Sequence, residues 1–429
     1  MKSVIWKRVW KKRNAVPFAS ESIALVTPWF GDDQTNGAAL LSSQLVRELF
    51  ASNQRVDVLT TCARSFQDDW SANYYAQGAS SLENFTVRRF AVRKRDADAF
   101  EQANRFLLSQ PLDFLKAHPS CIPARVAGAF CRENIQSPGL LKYLSDWGRS
   151  YSAILFTPYL YGPVLAGQEI VGARSFLQPC LHDEAYAYLP QVARLFHGAR
   201  GLLFNSRAEF DLARRLYGPK IATKSTIVGH WVPAPETEII DGERAVPRER
   251  FVFYLGRICE SKNVSSIVKA FRDYRRYRPV SRLQLVLAGD GEREGLESGG
   301  GLHVLGRIGE RRKAALFQSC AALLQPSINE SFSRSVMEAW SYGKPVAVNA
   351  QCAPTAEAVS ECGGGWAASS PAEWIAALSA IDRANPQQLR DLGELGRMHY
   401  LEFGTPKSVL RRYREALGIS AEPAAAAHG

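Results

Sequence analysis

Two glutamates, Glu330 and Glu338, stand with seven residues between them in the stretch LLQPSINESFSRSVMEAWSYGKPVAV (323–348). Carboxylates are poor ligands for phosphate and good acceptors for sugar hydroxyls. Arg257 and Lys262, in FVFYLGRICESKNV, are two cations after an apolar run, a composition that suits a diphosphate and the charge on a phosphate leaving group. His182 follows another apolar run, with Asp183 and Glu184 beside it as candidates to orient the imidazole. Together these residue types fit an enzyme that holds a sugar, a ribose and a diphosphate at once. Taken alone, paired glutamates also fit a solvated helix face, and a single histidine is usually structural.

The elements that would carry these residues alternate strand and helix. Ala321 to Leu324 reads as a strand, broken by Pro326, Ser327 and Asn329. Ser331 or Ser333 can cap a helix bearing Val336, Met337, Ala339 and Trp340, which Gly343 and Pro345 stop before a strand from Val346. Phe251–Leu255 reads as a strand, Gly256 as a point of close backbone approach, and 264–277 as a helix. Residues 283–292 and 303–320 repeat the alternation. Earlier in the chain, strands are expected at 22–27, 56–60, 86–90, 153–157, 175–178 and 201–204, with a helix from about Ala38 to Phe50 and another after Ser206. Residues 62–150 read as less regular, with an aromatic cluster (Trp70, Tyr74, Tyr75) and a basic one (Arg88, Arg89, Arg93, Lys94, Arg95). Past Val348, helices are expected near 354–359, 371–381 and 406–417.

The 429 residues suffice for two domains, and 46% hydrophobic with 22% charged residues are globular values. The net charge of +11 favours anionic partners, and no nucleic-acid motif accompanies it. The eight cysteines show no C-x-x-C pair, so zinc and dithiol chemistry are not indicated, and a reducing compartment fits. G-x-G-x-x-G is absent, so the first strand–loop–helix is not a dinucleotide fingerprint. No apolar run reaches spanning length and no signal-peptide pattern follows the N-terminus, so the expected location is the cytoplasmic side. Residues 1–13 hold six Lys or Arg interleaved with Val4, Ile5, Trp6, Val9 and Trp10. On a helix they would form a basic amphipathic segment able to sit peripherally on an anionic membrane, the alternative being a basic terminus without a role.

The string NESFSRSVMEAWSYGKPVAV resembles the donor-site motif of family-4 glycosyltransferases, and Gly256-Arg257 with Lys262 resembles that family's diphosphate motif. The resemblance covers roughly residues 20–350, loosely before Leu202. It implies the GT-B architecture: two doubly wound parallel-sheet, Rossmann-like α/β domains facing across a cleft. The expected divisions are a basic N-terminal segment (1–20), an acceptor-binding domain (21–233), a linker (234–250) and a nucleotide-sugar-binding domain (251–403). A helix returning to the first domain (404–420) and a disordered tail (421–429) would follow.

The activity implied is retaining, metal-independent transfer of a sugar from a nucleotide sugar to a hydroxyl of a glycan or lipid-linked acceptor, in cell-envelope polysaccharide synthesis. By the same resemblance Glu330 holds the donor sugar, Glu338 the ribose, and Arg257 and Lys262 the diphosphate. His182 contacts the donor near the reacting centre, so His182 and Glu330 are the catalytic candidates. Gly37, Gly256, Ser331, Phe332, Ser333 and Arg334 complete the donor-binding set. Two departures stand out: Ser333-Arg334 follow Phe332 where the family has glycine, and His230 replaces an asparagine. No cofactor or metal is implied. A GT-B hydrolase, phosphorylase or epimerase, or a non-catalytic scaffold, is the alternative.

Overall fold

A computed structural model describes residues 22–31, 42–47, 55–82, 85–236, 238, 247–291 and 295–419. Two sheets organise them. The first has eight strands: β1 Ile23–Val26, β2 Val56–Thr61, β3 Gly78–Leu82, β4 Phe85–Phe90, β5 Ala153–Phe156, β6 Ser175–Leu177, β7 Gly201–Phe204 and β8 Ser225–Ile227. Their order is β3-β4-β2-β1-β5-β6-β7-β8, parallel except for the antiparallel β3–β4 pair. The second sheet has six parallel strands: β9 Phe251–Leu255, β10 Gln284–Ala288, β11 Leu302–Gly306, β12 Ala322–Gln325, β13 Val346–Asn349 and β14 Gly365–Ala368. Its order is β11-β10-β9-β12-β13-β14. Parallel strands covered on both faces read as continuous apolar runs, as IALV of β1 and FVFYL of β9 do.

Helices cover both faces of each sheet. Ala24, Val26, Leu59 and Phe156 face one side of the first sheet, and Ile23, Leu25, Val58 and Leu155 the other. The last helix, Pro406–Leu417, follows the second sheet in sequence but packs on the first. Its Val409, Leu410, Tyr413 and Leu417 join Ile23, Val56 and Trp231 in one core cluster. Arg412 fixes the crossing by donating from Nε to the Val228 carbonyl at 2.9 Å.

The region read as irregular is ordered. β3 is an edge strand, GASSL, without the β-branched alternation that marks a strand, and its pairing with β4 supplies what its sequence lacks. Helices Ala97–Leu108, Leu112–Ala117, Ala124–Arg132 and Pro138–Trp147 follow. Helix Pro386–Phe403 and strand β14 also escaped the sequence reading. The expected first helix is described only over 42–47.

The topology decides what meets in the cleft. β9 pairs with both β10 and β12, so the second sheet reverses its winding between β9 and β12. Loops leaving the two strands diverge there and open a crevice. The Gly256–Lys262 loop and the Pro326–Ser333 loop are therefore neighbours, although Lys262 and Glu330 are 68 residues apart. The turn after β10 closes against the same place. A Cβ on Gly289 would stand 1.8 Å from the Gly256 carbonyl oxygen, and one on Gly291 2.0 Å from that of Ile258. Both glycines have positive φ (142° and 136°), so the contact is open to glycine alone.

Candidate functional site

The two glutamates each meet a lysine. Lys262 Nζ donates to Glu330 Oε1 at 2.5 Å, with side-chain exposures of 21% and 12%. Lys313 Nζ donates to Glu338 Oε1 at 3.1 Å, and Glu310 lies 2.7 Å from the same ammonium. Burial works against the charge of Lys313, but Glu338 and Glu310 outweigh it and hold its pKa above the usual value. Of the cations and carboxylates expected at the donor, Lys262 and Glu330 are thus in contact with each other. Arg257 is exposed, and no hydrogen bond or ion pair with the described residues is seen for its guanidinium.

The loop that carries Glu330 is fixed from inside. Gln325 Nε2 donates to Ser333 Oγ at 3.2 Å and to Ser335 Oγ at 2.8 Å. Asn349 Nδ2 and Asn263 Nδ2 donate to the Pro326 carbonyl at 3.0 and 3.4 Å. Ser333 is the residue before helix Arg334–Ser341, but its hydroxyl is engaged with Gln325 and Ser335 and caps nothing. The expected serine cap is therefore absent, which leaves the first N–H groups of the helix without a side-chain acceptor.

The first domain reaches this loop at four points. His182 Nδ1 lies 3.3 Å from Asn329 Oδ1, next to Glu330. Ser206 Oγ donates to the Ser331 carbonyl at 2.9 Å. The His230 ring stacks on Phe332 with centroids 5.3 Å apart. Arg334 Nη1 donates to Gln44 Oε1 at 3.0 Å and to the Trp231 carbonyl at 3.3 Å, and lies 2.7 Å from His230 Nε2. Burial, then the charge of Arg334, hold the His230 pKa well below its ordinary value, so the ring is a neutral acceptor. Burial also lowers the Arg334 pKa, opposed by Glu338 and Glu310.

Asp183 and Glu184 do not orient His182. Asp183 accepts from the Tyr188 hydroxyl at 2.9 Å and Glu184 from that of Tyr159 at 2.6 Å. The imidazole instead takes its partner, Asn329, from the other domain. Most of the basic cluster is also spoken for inside its own domain. Arg88 donates to Asp57 at 3.2 Å, Arg89 to the Phe30 carbonyl at 2.9 Å, Arg93 to that of Arg132 at 2.6 Å and Arg95 to that of Glu133 at 3.2 Å. Gly37 and residues 1–13 lie outside the described residues.

Two residues of the site were not singled out from sequence. Lys313 sits in ERRKAALFQS, where nothing distinguishes it from a solvated lysine. Glu209 is buried, and its oxygens accept from Leu181 N at 2.6 Å and Asn205 N at 2.5 Å. It ties the His182 loop, which turns through Cys180 at φ 55°, to the Ser206 cap. Burial pushes its pKa up to about 8 against those N–H donors. The capping spacing Ser206-x-x-Glu209 was the available signal, and it gives no hint of the longer reach to Leu181.

Comparison with known proteins supports the fold. Residues 235–397 match the family model for glycosyl transferases group 1. No curated protein sequence matches the chain. Among solved structures, sucrose-phosphate synthase from Thermosynechococcus elongatus is 16% identical, covers 93% of this chain and 100% of its own, and superposes with a TM-score of 0.65. The α,α-trehalose 6-phosphate synthase of Burkholderia multivorans is 12% identical, covers 93% and 98%, and has a TM-score of 0.67. Anabaena HepE in complex with UDP and glucose is 14% identical, covers 93% and 99%, and has a TM-score of 0.62. With two parallel-sheet domains facing across one cleft, the chain has the GT-B fold, and its residues 235–397 match the group 1 glycosyltransferase model.

Proposed function

We propose that this protein is a retaining, metal-independent glycosyltransferase. It moves a sugar from a nucleotide-sugar donor to a hydroxyl of a glycan or lipid-linked acceptor. The observation that carries the reading is the contact of Lys262 with Glu330 where two loops meet at the switch point, with His182 reaching Asn329, the neighbour of Glu330, from the other domain. In this reading Glu330 accepts from donor sugar hydroxyls and Glu338 from the ribose. Arg257 and Lys262 neutralise the diphosphate, so no metal is required there. The acceptor oxygen bonds to the anomeric carbon as the carbon–phosphate-oxygen bond breaks. Attack comes on the face the phosphate leaves, and the acceptor proton passes to that phosphate oxygen. His182 lies beside the reacting carbon. Two of the similar structures hold matching ligands, UDP with glucose in Anabaena HepE and UDP-2-fluoro glucose in the E. coli trehalose-6-phosphate enzyme.

The test is a thermal-shift screen of the full chain against nucleotide sugars, followed by product analysis. A donor that raises the melting temperature and is consumed only with an acceptor supports transfer. Consumption without acceptor indicates a hydrolase or epimerase. Arg257→Ala and Lys262→Ala should each weaken nucleoside diphosphate binding about tenfold or more, at roughly 1.5–3 kcal/mol per charge-assisted contact.

The setting we favour is cell-envelope polysaccharide synthesis on the cytoplasmic face of a membrane. Its support is the charge of +11 and the six cations of residues 1–13, each contributing about 1 kcal/mol near an anionic leaflet. Among the described residues no helix is long and apolar enough to cross a membrane. Co-sedimentation with anionic vesicles, with and without residues 1–13 and at low and high salt, tests it. Equal binding of both forms removes the segment as the anchor.

A further inference from the structure

Arg334 is built into the cleft in an unusual way. Among the described residues its Nη1 makes all of its hydrogen bonds, to Gln44, His230 and the Trp231 carbonyl. All three partners are neutral and all belong to the other domain. No ion pair links Arg334 to a described residue, and its Nη2 and Nε have no hydrogen-bond partner among them. Neither nitrogen is among the buried atoms left unsatisfied, so both reach solvent. A guanidinium pinned at one nitrogen and open along the opposite edge presents a fork of fixed direction, the geometry that suits a phosphate.

The charges around it narrow the ligand. Lys262 is paired with Glu330, and Lys313 with Glu338 and Glu310. Arg257 and Arg334 are the two cations of this group without a carboxylate partner among the described residues. A diphosphate esterified at both ends is a dianion. Arg334 also lies between the two glutamates in sequence, and one helical turn from Glu338 on the same helix face. In a nucleotide sugar the diphosphate lies between the sugar, assigned to Glu330, and the ribose, assigned to Glu338.

We propose that Arg334 is a further ligand of the donor diphosphate, and that it delivers this contact while anchored on the opposite domain, so that the bound anion ties the two domains together. The proposal rests on the donor-site reading above. Arg334 extends from the second domain, Gln44, His230 and Trp231 hold it from the first, and the anion occupies its free edge. The nucleoside part of the donor does not meet this edge.

Isothermal titration of the full chain and of Arg334→Gln, Arg334→Lys and Arg257→Ala tests it, with UDP, uridine and inorganic pyrophosphate as probes. Arg334→Gln should weaken UDP and pyrophosphate about tenfold or more and leave uridine within about twofold. Arg334→Lys should recover part of the loss. Undiminished UDP binding by Arg334→Gln, with loss in Arg257→Ala, overturns the proposal and leaves the donor site standing. Equal losses for uridine and UDP also overturn it, since Arg334 would then only hold the domains in place. Failure of the unaltered chain to bind either UDP or pyrophosphate removes the donor reading and this proposal with it.

Discussion

Glu330→Gln should tighten the binding of a bare nucleoside diphosphate while weakening that of the sugar nucleotide. Lys262 is already engaged, because its ammonium donates to Glu330 at 2.5 Å and both side chains are largely withdrawn from water. A charge-assisted hydrogen bond of this kind contributes about 1.5–3 kcal/mol. A diphosphate that recruits Lys262 must share or replace that bond. The amide introduced by the substitution carries no charge to hold the lysine, and recovering about 1.4 kcal/mol of the competition is worth roughly tenfold in affinity. The sugar nucleotide should lose instead, since the carboxylate proposed to accept its hydroxyls is gone. Titration calorimetry with UDP and a UDP-sugar reads both effects. Lys262→Met in the Glu330→Gln background should cancel the gain, closing a double-mutant cycle. Unchanged or weaker UDP binding by Glu330→Gln, whether or not Lys262 is present, refutes the idea that the glutamate and the diphosphate compete for one ammonium.

Three further outcomes are expected. Glu338→Ala should weaken even the bare nucleotide, by about tenfold, because the proposed ribose acceptor is lost and Lys313 loses its inward partner; calorimetry with UDP checks it. His182→Ala should lower turnover by about tenfold or more while donor affinity stays within about twofold, and normal transfer would return His182 to a structural role. Stability should fall as pH drops below about 6.5. Burial beside Trp340 and Phe403 pushes the His399 pKa down to about 4, so between those values the unfolded chain takes up a proton that the folded chain refuses. The contribution is whole above the unfolded pKa, declines by at most about 1.4 kcal/mol per pH unit, and is gone below pH 4. Urea titrations of the protein and of His399→Gln between pH 7 and about 4 should converge as pH falls.

The sequence by itself determined most local elements of the second domain and put Lys262 and Glu330 on the loops that follow β9 and β12. The apolar run Phe251–Leu255 and the helix Val264–Tyr277 lie where their periodicity put them, because a strand covered on both faces and an amphipathic helix are written in consecutive residues. The same holds for the Gly343–Pro345 stop before β13. Local signal failed at GASSL, whose strand exists only through its pairing with β4, and at helix Pro386–Phe403. Which residues touch was decided by the tertiary structure. Lys262 reaches Glu330 because β9 and β12 are neighbours, and no spacing along the chain states that order. Asp183 and Glu184, adjacent to His182 in sequence, turn away to Tyr188 and Tyr159, while Asn329 arrives from the other domain. In sequence Arg334 reads only as a cation added after Ser333, which stands where the family has glycine; its anchorage on Gln44, His230 and Trp231 appears only once the two domains face each other. Hydrogen bonds and ion pairs act over a few ångströms, and the fold, through strand order and domain apposition, sets which distant residues come that close.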